Sequence, residues 1–245
     1  MKMSYSLSYK ILILIIILSG CSNNSITVSE NMDPFERMNR QVFSFNKKVD
    51  EKIISPISST YEKEIPASTR KAIRNHIDWL DTPNTILNSS FQIDFKNTIL
   101  ASAKFMLNGL TLGFYDLDKG ETAIKKRDFG STLAKYNVPE GPFLMVPFIG
   151  PKTSRAFTGT ILNTNIMSNI SSSPLNDLRL IEVPLDTIDT RSKLSKTIDN
   201  IYESPDPYVK LRSFYIQNRR NIVYGKKYIN LKDKETDAEF EKLLE

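Results

Sequence analysis

Cysteine and histidine are almost absent from this chain of 245 residues, which has one of each. That leaves no ligand set for a structural zinc site and no partner for a disulfide or a redox pair. Glycine stops at 9 and proline at 12, which excludes collagen-like and low-complexity chains. A strong excess of one charge is missing too: 33 basic against 28 acidic residues leave +5, whereas nucleic-acid binders gather far more Arg and Lys on one face. What is present is ordinary for a folded chain, 40% hydrophobic and 25% charged, enough for one large domain and incompatible with general disorder.

The N-terminus carries the first positive signal. Lys2 and Lys10 flank a polar stretch, and Ile11 to Leu18 is unbroken apolar. Such a run makes about 12 Å of helix against a hydrocarbon core of about 30 Å, so a signal-peptide core fits and a spanning anchor does not. Leu18-Ser19-Gly20-Cys21 follows, and it resembles the lipobox of bacterial lipoproteins, with the sole Cys where acylation requires it. Removing residues 1–20 takes two lysines and no acid, lowering the formal charge from +5 by two. Residues 21–32 are polar and unpatterned, as a lipidated tether would be.

From Asp33 the punctuation is helical. Asp33-Pro34-Phe35-Glu36 reads as a cap, a proline in the first turn and a Glu behind it. Phe35, Met38, Val42, Phe45, Val49 and Ile53 form one apolar stripe, which Ser55-Pro56 is expected to stop. A second helix is predicted from Pro66 to Asp81-Thr82-Pro83, with a short further one to about Phe91. Asp94 reads as the next cap. From Thr98 to Tyr115 apolar residues cover most of the circumference and Lys104 is the only charge, which marks a helix buried in a core or in lipid. Two of the nine glycines, Gly109 and Gly113, predict a bend there, although Gly109 alone also suits an ordinary helix end. A valine at Gly113 is expected to leave the fold intact.

Further along, Asp128 to Tyr136 predicts a short helix. Gly141 to Pro151 predicts a rigid extended loop, because Pro147 cannot donate to a strand ladder. Helices are then expected from Pro151 to about Met167, from about Leu185 to Tyr202, and from Asp206-Pro207 to Tyr224, with a loop over 168–173. The tail 226–245 is charged and, from Leu231, acidic. No repeat or sustained period-two segment occurs, so the fold class is all-α.

Enzyme chemistry lacks its parts. His76, the sole imidazole, sits in an amphipathic helix pattern, and there is no Gly-x-Ser-x-Gly elbow and no glycine-rich phosphate loop. Asp116-x-Asp118-x-Gly120 fails as a calcium loop, with Gly120 and Arg127 where oxygen ligands belong. The pair Asp186 and Asp189 reads as solvated, and no metal or cofactor is implied. The basic clusters Lys125-Lys126-Arg127 and Arg219-Arg220 read as solvated faces or as contacts for phospholipid head groups. Lipophilicity without a span remains: Phe105, Met106, Leu107, Leu110, Leu112 and Phe114, then Phe143, Leu144, Met145, Val146, Phe148 and Ile149. These are either the core or a lipid contact.

Four blocks carry a resemblance. They are Asp33-Pro34-Phe35-Glu36-Arg37-Met38-Asn39-Arg40 with Phe43-Ser44-Phe45-Asn46; Phe105-Met106-Leu107-Asn108-Gly109 with Leu112-Gly113 and Asp116, then Phe129-Gly130-Ser131-Thr132-Leu133; Gly141 to Pro151 with Arg155; and Asp206-Pro207-Tyr208 with Leu211-Arg212 and Tyr215 to Arg220. In this order they resemble the MlaA/VacJ family of outer-membrane lipoproteins over about residues 33–225. The chain departs from the pattern at Phe114-Tyr115, where a second glycine is usual, and at Asp118, where a small residue is usual; the acidic tail lies outside it.

The resemblance implies a single ring-like bundle of amphipathic helices with long loops, lipid-anchored through Cys21 in the inner leaflet of the outer membrane. It implies a non-enzymatic protein that removes phospholipid misplaced in the outer leaflet and passes it to a periplasmic carrier of the MlaC type, beside a trimeric porin. Asn108, Gly109, Leu110, Thr111, Leu112, Gly113, Phe114, Tyr115 and Asp116 are then the candidates for lining the lipid channel. Phe105, Met106, Phe143, Leu144, Met145 and Phe148 are the candidates for membrane contact. Two competing readings make distinct demands. An inert envelope lipoprotein requires the apolar segments 98–115 and 142–149 to be fully buried, and a phospholipase requires a Ser or Asp bonded to His76.

Overall fold

A computed structural model describes residues 33–119, 123–170 and 173–225. The expected signal peptide 1–20, Cys21, the tether 21–32 and the tail 226–245 lie outside the described residues. Nine helices carry this part of the chain: α1 (Glu36–Val49), α2 (Ser55–Glu64), α3 (Ala67–Phe91), α4 (Phe95–Gly109), α5 (Phe129–Lys135), α6 (Ser154–Ile170), α7 (Ser173–Lys193), α8 (Ser195–Tyr202) and α9 (Pro207–Tyr224). A π-helical turn, Asp50–Ile54, joins α1 to α2. Strands β1 (Phe143–Val146) and β2 (Gly150–Thr153) form one antiparallel hairpin, with Phe143 opposite Thr153 and Val146 opposite Gly150.

The contacts between elements run round a closed circuit: α1 meets β1, β2 meets α6, α6 meets α5, α5 meets α3, α3 meets α7, and α7 meets α2, which leads back to α1. The all-α ring expected from the sequence is therefore the observed fold, with the hairpin set into it. Helix α4 lies along α3, while α8 and α9 buttress the circuit from α7 and β2. No described helix is long and apolar enough to cross a membrane.

Local signals account for several boundaries. Asp94 and Asp206 accept from the backbone N–H groups of Asn97 (3.2 Å) and Val209 (3.1 Å), and Pro207 opens α9 without losing a bond. Asp128 and Ser131 form a reciprocal capping box on α5.

Other expectations are corrected. Ser55-Pro56 does not stop the first helix: the chain widens into the π-turn, which accommodates the proline ring, and α2 continues. The helix does not end at Pro83 either, because α3 is braced on both sides of it, at Trp79 to the Phe105 carbonyl (2.9 Å) and at Asn88 to Thr132 (2.8 Å). The segment 141–151 is a hairpin, not a loop, although Pro147 does avoid the ladder by sitting in the turn. Pro151 belongs to β2 and α6 opens at Ser154. Of the loop expected over 168–173, residues 168–170 belong to α6 and Ser173 opens α7, with 171–172 outside the described residues, and the helix expected from Leu185 to Tyr202 is two, broken at Leu194. There Arg191 bridges Asp50 (3.0 Å) and Asp199 (2.8 Å) across the break. Burial pushes the Asp50 carboxyl up, and Arg191 opposes that push.

The hydrophobic core is small: Phe43, Phe143, Met145 and Tyr208, with Val42, Tyr202, Val209, Leu211, Tyr215 and Ile216 around them. What seats the hairpin on α1 is two asparagines spaced by two helical turns. Asn39 donates to the Phe143 carbonyl (3.1 Å) and accepts from the Met145 N–H (2.9 Å). Asn46 repeats the clip on the Val146 carbonyl (3.0 Å) and the Phe148 N–H (2.9 Å). Asn39 also donates to Asp33 (2.7 Å), whose carboxylate takes Arg212 (2.9 Å) and the Tyr208 hydroxyl. Asp33 is thus a buried link to α9, not the helix cap expected of it. Replacing Asn39 with Ala leaves a strand N–H, a carbonyl and part of Asp33 unpaired. We expect a loss of about 3 kcal/mol in thermal or denaturant unfolding, against no more than about 0.5 kcal/mol for the exposed Arg37→Ala.

Candidate functional site

The segment after α4 folds into a tight, stapled turn. The Asn108 carbonyl accepts from Thr111 and Gly113 (3.1 and 2.8 Å), and the buried Asn108 side chain donates to Asp116 (3.1 Å) and accepts from the Leu117 N–H (2.9 Å). Lys104 reaches both Asp116 (3.4 Å) and Asp118 (3.3 Å). Thr111 donates to the Asn108 carbonyl at 3.0 Å. The polar atoms of Asn108, Thr111 and Asp116 are therefore engaged in shaping the turn.

A wall of rings on α3 holds it in place. Trp79 stacks on Phe105 with centroids 5.2 Å apart and planes 8° from parallel, and His76 stacks on Phe114 at 4.5 Å and 6°. His76 Nδ1 lies 2.5 Å from the Leu112 carbonyl, so the proton sits on that nitrogen, and Asn75 donates to the Phe114 carbonyl (3.3 Å). Gly113 has φ +78°, and a Cβ there would lie 2.4 Å from the Trp79 Cβ. The expectation that valine at Gly113 spares the fold is thus corrected. Gly109 ends α4 with ordinary clearance of 3.7 Å to Trp79.

Between α3, α4 and α5 runs a seam of buried polar side chains. Thr85, Asn88 and Ser89 share one face of α3, and Gln92 continues it at the helix C-cap. Gln92 donates to Ser131 (3.1 Å) and Thr132 (3.0 Å), Asn97 donates to Ser89 (2.7 Å), and Asn97 exchanges two bonds with Lys125 (2.9 and 2.8 Å). Sequence reading missed this seam and the ring wall. The signals were there: a polar stripe at helical spacing, and the chain's one Trp three positions from its one His.

Outside the seam, the turn presents aliphatic and aromatic groups. Leu110 is 79% exposed and Met106 74%, with Leu107, Leu112, Tyr115 and Leu117 exposed beside them. At the hairpin tip Phe148 is 75% exposed and packs edge-on against Phe45 at 5.1 Å. The two segments rest on different elements, the first on α3 and the second on α1. Of the expected membrane contacts, Phe143 (0%) and Met145 (5%) are corrected to core, because the β1 face that carries them packs on Phe43 and Tyr208. Phe105 and Leu144 are half-buried. Segments 98–115 and 142–149 are not fully buried, which overturns what the inert-lipoprotein reading required. Among the described residues, nine hydrophobic residues are buried against twenty polar or charged ones, so apolar area is displaced outward.

Fold and site together define an all-α ring with polar side chains buried between its helices and large apolar ones exposed. The MlaA lipoprotein family matches residues 31–222, and the chain belongs to it. Among relatives, the intermembrane phospholipid transport system lipoprotein MlaA of Haemophilus influenzae is 26% identical over 227 residues, covering 89% of this chain and 90% of the relative. The protein of the same name from Escherichia coli is 27% identical over 216 residues, 85% of each chain. A protein of Rickettsia felis is 30% identical over 189 residues, 75% of each. A solved structure described as "Structural basis for maintenance of bacterial outer membrane lipid asymmetry" shares the fold with TM-score 0.67 and 28% identity, over 78% of this chain and 98% of that one.

The stapled turn makes a sharp contrast between its two glycines. Gly113→Ala is expected to cost at least about 1–2 kcal/mol, from left-handed strain before any clash with Trp79 is added. Gly109→Ala is expected to be neutral or to stabilise by about 0.5–1 kcal/mol. Thermal melts of the two variants beside wild type check both.

Proposed function

We propose that this protein is a lipid-anchored member of an intermembrane phospholipid transport system, held in the inner leaflet of the outer membrane by acylated Cys21. In this role it withdraws phospholipid mislocalised to the outer leaflet and passes it to a periplasmic carrier, beside a trimeric porin. The observation that carries the reading is the exposed apolar turn locked to α3. Such side chains suit the tails of a phospholipid, which lose nothing in an apolar setting, whereas desolvating its charged phosphate there costs many kcal/mol. The work is transfer without covalent change, and His76 fits that account by carrying the Leu112 carbonyl.

Within the turn, Leu110, Leu112 and Tyr115 supply the apolar edge of the lipid path. Asn108, Gly109, Thr111, Gly113, Phe114 and Asp116 fix its shape. Met106 and Phe148, with the exposed side chains near them, face acyl chains of the bilayer. Each large apolar side chain moved from water to lipid gains about 1.5–3 kcal/mol.

Cells lacking the protein are expected to accumulate phospholipid in the outer leaflet, and the wild-type gene to reverse it. Leu112→Lys, at matched abundance and unchanged melting temperature, is expected to fail in that reversal; equal outer-leaflet phospholipid in variant and wild type would remove the turn from the path. For the anchor, mass spectrometry of the mature protein is expected to find a chain starting at an acylated Cys21, and an unmodified Cys21 would refute it.

A further inference from the structure

Helices α8 and α9 leave an open cleft of about 310 Å³ between them, lined by Lys196, Thr197, Asn200 and Ile201 of α8 and by Lys210 and Phe214 of α9. Ile201 is buried there, and the Phe214 side chain is left 45% exposed. Lys210 gives its Nζ to the Asn200 carbonyl (3.1 Å) and side-chain oxygen (2.6 Å), both neutral, so the ammonium is held at the cleft with its charge uncompensated. Among the described residues neither Lys196 nor Lys210 forms an ion pair, and Asp199 of α8 turns instead to Arg191 at 2.8 Å. A half-exposed aromatic ring between two uncompensated ammonium groups suits an apolar side chain flanked by carboxylates.

The sequence beyond Gly225 contains such a segment. From Glu235 to Glu245 the acids are Glu235, Asp237, Glu239, Glu241 and Glu245, the only base is Lys242, and Phe240, Leu243 and Leu244 stand among them. This segment follows the same helix that carries Lys210 and Phe214. From Tyr224, the last residue of α9, back to Phe214 is about 15 Å of helix rise, and to Lys210 about 21 Å. Lys210, Phe214, Gln217 and Asn221 are all exposed and fall on one face, so α9 is open from its end back to the cleft. Residues 226–239 reach about 21 Å as a helix and about 46 Å extended, which is sufficient in either backbone state. We propose that the segment Glu235 to Leu244 of this chain docks in the cleft, with Phe240 against Phe214 and Ile201 and the neighbouring carboxylates on Lys196 and Lys210. The tether makes this an intramolecular event, so a cleft too small to hold a free peptide tightly suffices. The assignment is independent of the transfer role.

The test treats the full lipoprotein, in a nonionic detergent, with a carbodiimide that joins an amine to a carboxylate in contact with it, and reads the joined peptides by mass spectrometry. Lys104 and Asp118, 3.3 Å apart and remote in sequence from the cleft, supply an internal reference cross-link. Wild type should join Lys196 or Lys210 to acids of the segment 235–245 within one copy, at a yield that dilution does not change. Phe240→Ser, which keeps every charge, should lower that yield about threefold or more while the reference cross-link stays constant. Lys196→Glu and Lys210→Glu combined with Glu239→Lys and Glu241→Lys should restore cross-linking with the amine and carboxylate sides exchanged. Absence of any cross-link from the two cleft lysines to the segment, with the reference present, overturns the docking. Equal yield in wild type and Phe240→Ser overturns it as well, since charge alone then brings the segment near. Cross-links that isotope labelling traces to two different copies overturn the assignment of the occupant to the same chain.

Discussion

Asn39 does for the hairpin what a neighbouring strand would do. From one turn inside α1 its carboxamide offers β1 a donor and an acceptor, at 3.1 and 2.9 Å, and it still has a second N–H for Asp33. Asp33 in turn ties to Tyr208 and Arg212 on α9. Three elements distant in sequence thus meet through one fully buried amide. The circuit of helices passes through the α1–β1 contact, where these polar groups lie beside the small apolar core of Phe43, Phe143, Met145 and Tyr208. Buried polar groups of this kind are costly when any partner is missing, which makes the joint specific as well as strong.

The same economy runs through the rest of the fold. The seam between α3, α4 and α5, the Asp128–Arg219 pair and the Arg191 bridge fill places where a soluble helical protein ordinarily packs Leu and Ile. At Asp128 burial pushes the carboxyl up, but the bonded guanidinium outweighs it and holds the group below its ordinary value. Polar interiors of this kind leave apolar residues for the exposed surface. That distribution is unfavourable in water and favourable against acyl chains, so the seat proposed in the bilayer and the polar joints are two sides of one arrangement.

Features set by local chemistry were legible in the sequence. Asp206-Pro207 opens α9 and Gly225 ends it because a capping carboxylate, a first-turn proline and a terminal glycine act within a few residues. Asp94 and Asp128 were readable for the same reason. Pro56 and Pro83 misled because their cost is absorbed by a π-turn and by flanking contacts that no window of sequence contains. The hairpin was hidden because each strand has four residues, too few for alternation to show, and because its edge is satisfied by asparagines about a hundred positions away. In FLMV the run is apolar on both faces, so nothing in it told that Phe143 and Met145 turn inward while Leu144 does not. The turn at 108–116 was located by its glycines, but its stiffness was invisible, since Trp79 and His76 come from another helix.

That stiffness bears on the lipid path proposed for this turn. An apolar loop exposed to water would collapse onto the nearest hydrophobic surface if its backbone were free to move. Here the carbonyls of Leu112 and Phe114 are bonded to α3, the Asn108 amide closes the turn from within, and Gly113 lies against Trp79 more closely than any side chain permits. Leu110, Leu112 and Tyr115 project from a backbone frame that is already fixed, so contact with lipid on the proposed path would cost little backbone ordering entropy. A pre-formed apolar edge of this kind would favour passage over tight capture. On the proposed path the acyl chains would meet a surface much like the bilayer they leave, and the larger energetic difference would fall on the head group.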